Sequence, residues 1–276
     1  MRRAQDLERK TDLAIVGPFG TASTFDGSAG LGRLTLPACC ASRPRVSPNG
    51  EWVAWIAKSA DRYPPGPEEP TAFAMRAPGN IRDIRLPDNG GMDVAISSSP
   101  LKLAVRSAYG HRLGIYNANT GALESEISAA TVRIGFDRLS ISGDGARLAI
   151  GDREQFRVVD VRSSKVVFEG RGGYPALSPD GLSVAFCDAH ERLIVRTLAN
   201  GKESSPMSGR LVYAVSGWSP DGSFVLASMK SLPFMRRKLV IVDAFQGGFA
   251  EAWPLGYETL GEPFYFIKRQ LLSGKA

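Results

Sequence analysis

The chain has 276 residues, enough for one large domain or two small ones with a sizeable core. Hydrophobic residues make up 43% and charged residues 22%, which excludes a disordered chain, and no apolar stretch reaches the length of a membrane-spanning helix. The net charge of +6, from 34 Lys and Arg against 28 Asp and Glu, is a mild excess that favours nucleic acid only if gathered on one face.

Residues 1–11 form a polar extension, and Leu13 to Val16 behind it is too short for the apolar core of a signal peptide. A cytoplasmic protein with reduced thiols is expected, because three cysteines, two of them adjacent at Cys39-Cys40, make no disulfide framework. Leu13 to Val16 and Leu34 to Leu36 read as strands without a clear first partner. Trp52 to Ile56 is a further apolar run. Residues 57–91 read as an irregular insertion, since Asp61 to Pro70 holds four prolines that cannot sit in a ladder.

Regular order follows. Met92 to Ile96, Lys102 to Arg106, Arg112 to Tyr116 and Ala122 to Ile127 make one group of short strands. Phe136 to Ile141, Arg147 to Ile150, Phe156 to Val161 and Lys165 to Phe168 make the next. Tyr174 to Leu177, Leu182 to Cys187 and Arg192 to Leu198 repeat the order, as do Leu211 to Trp218, Phe224 to Met229 and Lys238 to Val242. Pro263 to Leu271 is a last strand with no residues left to complete a meander.

A turn recurs between the first and second strands. Ser47-Pro48-Asn49-Gly50, Ser178-Pro179-Asp180-Gly181 and Ser219-Pro220-Asp221-Gly222 are full copies, and Ser142-Gly143-Asp144-Gly145 and Ser98-Ser99-Pro100-Leu101 are degenerate ones. Proline presets φ, Asx ties the backbone and glycine takes a positive φ, so each copy reverses the chain. After the third strand comes Asn117, Asp160 or Asp243 and a second small turn. Units repeating at intervals of roughly 36 to 51 residues mark a repeat protein. One meander cannot cover both its faces, whereas a radial array can. The expected fold is therefore an all-β propeller of four-stranded antiparallel blades, one domain over residues 1–276. Six blades are expected, the last closed by both termini, with five as the alternative.

Trp218-Ser219-Pro220-Asp221-Gly222 and Ser178-Pro179-Asp180-Gly181, each followed by a short apolar strand, resemble the repeats of WD40-like and TolB-like propellers over about residues 47–245. Val159-Asp160 and Val242-Asp243 stand where WD40 repeats close on Trp-Asp, and Tyr109-Gly110-His111 is no match to their Gly-His, so the TolB-like variant is the closer similarity. The resemblance implies a platform for proteins or peptides and no shared reaction.

Chemistry-bearing residues are sparse. His111 and His190 fall in turns of different blades, Cys187-Asp188-Ala189-His190 is a lone cluster, and the repeated Asp144, Asp180 and Asp221 suit turn duty. The glycine-rich segments lack the spacing and lysine of a phosphate loop, and neither a catalytic set, a cofactor nor a metal is expected. Trp52, Trp55, Trp218 and Trp253 read as core, with Trp52 and Trp55 on opposite faces of one strand. The candidate binding residues are those where the repeat breaks: Tyr63 in the Pro-rich excursion, and Phe234, Met235, Arg236, Arg237 and Lys238 in an extended turn between second and third strands. These features predict a noncatalytic protein-interaction scaffold, a subunit of a larger assembly that binds partners through loops on a propeller face. A propeller enzyme, or a small-ligand or metal-binding protein with its site at the central channel, is the competing reading. A homo-oligomer built on an unpaired terminal strand is the third.

Overall fold

The computed structural model describes residues 13–16, 21–23, 30–33, 45–57, 71–77, 80–85, 91–107, 112–128, 131, 138–231, 236–254 and 265–268. Among them are only strands and turns. In chain order, β1 (Leu13–Val16), β2 (Thr21–Ser23) and β3 (Gly30–Arg33) come first, then β4 (Arg45–Val46), β5 (Val53–Ala57), β6 (Thr71–Ala77) and β7 (Asn80–Arg85). Next are β8 (Gly91–Ile96), β9 (Lys102–Ser107), β10 (Leu113–Asn117) and β11 (Leu123–Ile127). The fourth group is β12 (Arg138–Ile141), β13 (Arg147–Gly151), β14 (Gln155–Asp160) and β15 (Lys165–Arg171). The fifth is β16 (Gly173–Leu177), β17 (Ser183–Cys187), β18 (Leu193–Thr197) and β19 (Glu203–Ser204). β20 (Val212–Trp218), β21 (Phe224–Ser231), β22 (Arg236–Asp243), β23 (Phe249–Pro254) and β24 (Tyr265–Lys268) complete the chain.

These strands pair into antiparallel sheets of four, six among the described residues. Five are meanders of consecutive strands. The remaining sheet runs β24-β1-β2-β3, with Leu13 opposite Lys268 and Val16 opposite Tyr265, so strands from the two ends of the sequence share it. The first strands β4, β8, β12, β16, β20 and the terminal β24 touch one another in a closed cycle. The molecule is an all-β propeller of four-stranded antiparallel blades.

Residues 57–91 differ from the expectation. They contain β6 and β7, which complete the sheet begun by β4 and β5. Ala72 and Ala74 are buried there, but Thr71-Ala72-Phe73-Ala74-Met75 follows the prolines too closely to stand out as a strand in the sequence. Asp61 to Pro70, the extension 1–11, Leu34 to Leu36, Cys39-Cys40 and His111 lie outside the described residues.

The core is distributed between sheets. Successive side chains of a strand point to opposite faces, so each strand feeds two cores. In β17, Ala185 and Cys187 pack toward β20–β23, while Val184 and Phe186 pack with Phe156 and Val158 of the preceding sheet. Ala54, Ile56 and Trp52 likewise pack against Val94, Ile96 and Leu103 of the next sheet. Trp55 lies on the other face at 0% exposure, so both tryptophans are core and neither reaches the surface. This double burial explains why the middle strands read as near-continuous apolar runs rather than alternating ones.

The repeated turn is a hydrogen-bonded unit. Ser178 Oγ accepts the Ser183 N–H at 2.9 Å and donates to Asp180 Oδ1 at 2.5 Å, and Asp180 Oδ1 accepts the Leu182 N–H. Ser142 with Asp144, Ser219 with Asp221 and Ser47 with Asn49 repeat the pattern. The glycine closing the four units has φ between 67° and 72°. Adjacent turns also lock together: Ser98 Oγ accepts the Asn49 N–H, the Ser98 and Ser99 N–H groups donate to the Gly143 carbonyl, and the Gly143 N–H donates to the Pro179 carbonyl at 2.7 Å.

Gly143 occupies the place that proline holds in the full copies, and its N–H is what makes the last of these links. A Cβ there would lie 2.7 Å from the Pro179 carbonyl oxygen. Gly143→Ala is therefore expected to lower unfolding stability by about 1–3 kcal/mol through overpacking against rigid backbone. A urea titration followed by circular dichroism measures this; an unchanged midpoint would show that the turns slide freely past each other.

Candidate functional site

The inner strand of every blade has one unpaired edge facing the axis, so its N–H and C=O groups need partners. Neighbouring blades supply some of them. Ser140 Oγ of β12 accepts the Leu177 N–H of β16 at 3.0 Å, and the Trp218 indole N–H of β20 donates to the Ala176 carbonyl at 2.9 Å. Arg45 of β4 binds both carboxylate oxygens of Asp93 on β8 at 2.8 Å, joining the first two complete meanders. These contacts leave a channel cavity of about 70 Å³, lined by all six inner strands, with Arg45, Arg138, Ser140, Ser216, Trp218 and Phe266 among its walls.

A second constellation crosses three sheets at the end of the ring that carries the hairpins between second and third strands. The Arg138 guanidinium stands 5.3 Å from the centre of the Tyr174 ring, and Tyr174 lies 5.8 Å from Tyr213. Lys230 Nζ stands 5.8 Å from the Tyr213 ring centre and is ion-paired with Glu191. The Glu191 carbonyl accepts the Val212 N–H at 2.7 Å, stitching one blade's hairpin to the next blade's first strand. Tyr174 has φ 58°, a left-handed conformation that costs energy for a bulky residue and holds its ring in this row. Burial, followed by the neighbouring Tyr213, pushes the Tyr174 phenol well above its ordinary range, so it stays protonated.

Cys187 sits beneath this row, buried and free. Burial pushes its thiol up to about 12, against the pull of the Arg138 charge. A neutral thiol is a poor nucleophile and a poor metal ligand. In the adjoining turn, burial raises the Asp188 carboxyl, but the Arg192 side chain and the N–H groups of Arg192 and His190 outweigh it and hold the carboxyl below its ordinary value. Asp188 thus shapes a hairpin, and His190 is exposed beside it. Asp144, Asp180 and Asp221 are held in the turns described above. Among the described residues, no group of three or more His, Cys, Asp or Glu comes together in a metal-holding arrangement.

Of the candidate binding residues, Tyr63, Phe234 and Met235 lie outside the described residues. Arg236, Arg237 and Lys238 were expected in a turn; they open strand β22 instead, opposite Ser231, Lys230 and Met229 of β21. The run of cations had masked the strand, because only Leu239 to Val242 carries the apolar signal. Lys238 Nζ pairs with Glu251 at 2.7 Å on the outer strand, so its charge is partly offset. At the opposite end of the ring, Phe245 is 65% exposed and its ring centre lies 6.4 Å from that of Trp218. The signal for it in the sequence is an aromatic inside the Asx turn Asp243-Ala244-Phe245-Gln246-Gly247.

No protein-family model matches the chain, and no curated protein matches it. Among solved structures it is similar to the β-propeller domain of Cps50 (Swd1) from Myceliophteria thermophila, with 15% identity and a TM-score of 0.45. The match covers 62% of this chain and 57% of that one, so this chain spans less than two thirds of that structure's length. The propeller architecture itself rests on the sheet order and the closed cycle of inner strands. No helix among the described residues is long and apolar enough to cross a membrane.

Two outcomes are expected here. In a Cys39→Ser/Cys40→Ser background, Cys187 should react with an aromatic disulfide reagent at pH 8 at least about a hundredfold more slowly in the folded than in the urea-unfolded chain. The raised thiol also fixes a sign: its stabilising contribution is whole below the ordinary value of 9.0 and is lost as pH climbs toward about 12. Equal labelling rates would place the thiol in solvent. Separately, Trp218→Phe keeps the ring but removes the donor to Ala176, and should cost about 1–3 kcal/mol in the same urea titration.

Proposed function

We propose that this chain is a noncatalytic protein-interaction platform, a subunit of a larger assembly, working as one propeller domain in the cytoplasm. The observation that carries the reading is the β21–β22 hairpin. Its two strands have eight residues each, longer than any other strand among the described residues. The ladder continues to Ser231 opposite Arg236, and Lys230 faces Arg237 across it. A long ladder whose third strand begins with cationic residues is a form suited to an acidic segment of a protein partner.

Phe234 and Met235 belong to the four-residue connection between β21 and β22, and Tyr63 to the connection between β5 and β6. Both connections join second to third strands of their blades in the sequence. We therefore assign Tyr63, Phe234, Met235, Arg236, Arg237 and Lys238 to one partner-facing surface, with the aromatic and Met side chains as apolar anchors and the cations for steering. The free, buried Cys187 fits a reducing compartment. The TolB-like character of the repeats remains the family reading that fits the turns best.

Quantitative co-purification with the full chain tests this. The triple variant Arg236→Glu, Arg237→Glu, Lys238→Glu should retain at least about tenfold less of the partners that the parent retains, and retention should fall with salt. Lys202→Glu, an exposed turn residue at the other end of the ring, should leave retention unchanged. Equal retention by the triple variant and the parent, with both folded by circular dichroism, would move the binding surface elsewhere. A concentration-dependent mass in sedimentation, lost in the triple variant, would identify the partner as a second copy.

A further inference from the structure

We propose that Glu191, in the turn between β17 and β18, is a positioning residue for the β21–β22 hairpin of the next blade, holding the last rungs of its cationic ladder in place for a partner. The effect on the partner rests on the function proposed above; the hold on the hairpin does not. The need for such a residue follows from the register. Lys230 stands directly opposite Arg237, with Ser231 opposite Arg236 beyond them. The Lys230 N–H donates to the Leu211 carbonyl at 2.9 Å, away from β22. Lys230 and Arg237 therefore face each other as a non-hydrogen-bonded pair, the kind whose side chains lie closest. Like charges at such opposite positions destabilise a ladder.

Glu191 supplies an offsetting charge from the neighbouring blade. Its carboxylate pairs with Lys230 Nζ and its carbonyl accepts the Val212 N–H at 2.7 Å, so one residue grips both β20 and β21. The Lys230 side chain is only 17% exposed, and water and salt screen such a pair less than one at an open surface. Lys230 Nζ also stands 5.8 Å from the Tyr213 ring centre, which fixes its approach from the β20 side. The backbone supports a task for the carboxylate. Glu191 has φ 58°, a left-handed value that glycine adopts freely and that the Ser-Asx-Gly turns give to glycine. A glutamate is held there at a conformational cost. Its side chain, paired with Lys230, is what a glycine would not supply.

Amide hydrogen exchange in the free, full chain tests the hold without a partner. Glu191→Gln should speed exchange at Met229 to Ser231 and Arg236 to Lys238 by at least about threefold, and leave Val184 to Phe186 unchanged. Glu191→Gly, which suits the backbone, should speed it as well, because relief of strain does not replace the carboxylate. Exchanging the charges in Glu191→Lys/Lys230→Glu should return the rates to within about twofold of the parent, a rescue that a space-filling role would not give. In co-purification, Glu191→Gln should retain about threefold less partner than the parent. Unchanged exchange in Glu191→Gln, or no rescue by the exchanged pair, overturns the positioning role. Faster exchange with unchanged retention overturns its part in binding if the Arg236→Glu, Arg237→Glu, Lys238→Glu variant loses partners. If that triple variant keeps them, the proposed surface falls instead and the hold on the hairpin stands.

Discussion

The central blades of this protein have two apolar faces and an unpaired inner edge, and neither can be left in water. That double demand is what the rest of the structure answers. Val184 and Phe186 require one neighbour, Ala185 and Cys187 require another, and only a closed ring gives each blade two neighbours. The β24–β1 pairing follows from the same demand, because without it the ring would end on two exposed sheet faces.

The inner edges make the axis polar, and the way they are satisfied decides what the channel can do. Ser140 and Trp218 spend their polar atoms on the backbone of β16, and Arg45 is spent on Asp93. Arg138, whose guanidinium stands over the Tyr174 ring, and Ser216 line the same small space. Groups with perturbed protonation lie just outside, and they are perturbed toward inertness. Burial keeps the Cys187 thiol and the Tyr174 phenol protonated, which suits a rigid support rather than an acid–base pair. The strained backbone of Tyr174 holds together a row of side chains spanning three blades, so rigidity at that end of the ring is built from side chains as much as from ladders.

The two ends of the ring differ in kind. At one end the Ser-Asx-Gly turns bond to each other from blade to blade, and their carboxylates are consumed by the turns themselves. At the other end, β21 and β22 are the longest strands among the described residues, and β22 opens on Arg236, Arg237 and Lys238. Structural duty has thus taken the repeated acidic residues.

Strands and turns were legible because their causes are local. The Ser-Pro-Asp-Gly copies encode a reversal in four residues, and Asp160 or Asp243 encodes the next one, so blade order could be read from spacing. β6 was not legible, because alternating alanines beside a proline-rich stretch carry little hydrophobic signal until a partner strand buries them. The strand start at Arg236 was hidden for the same reason: its pairing with Ser231, not its own propensity, makes it strand. Phe245 sits in a turn that sequence identifies, yet its position over Trp218 depends on how β23 returns beside β22. Contacts between neighbours along the chain set the repeating unit, its turns and the radial class of fold. Which side chains meet at the axis is set by long-range packing. Arg45, Arg138 and Ser216 come from blades far apart in sequence, and ring closure alone brings them to one cavity.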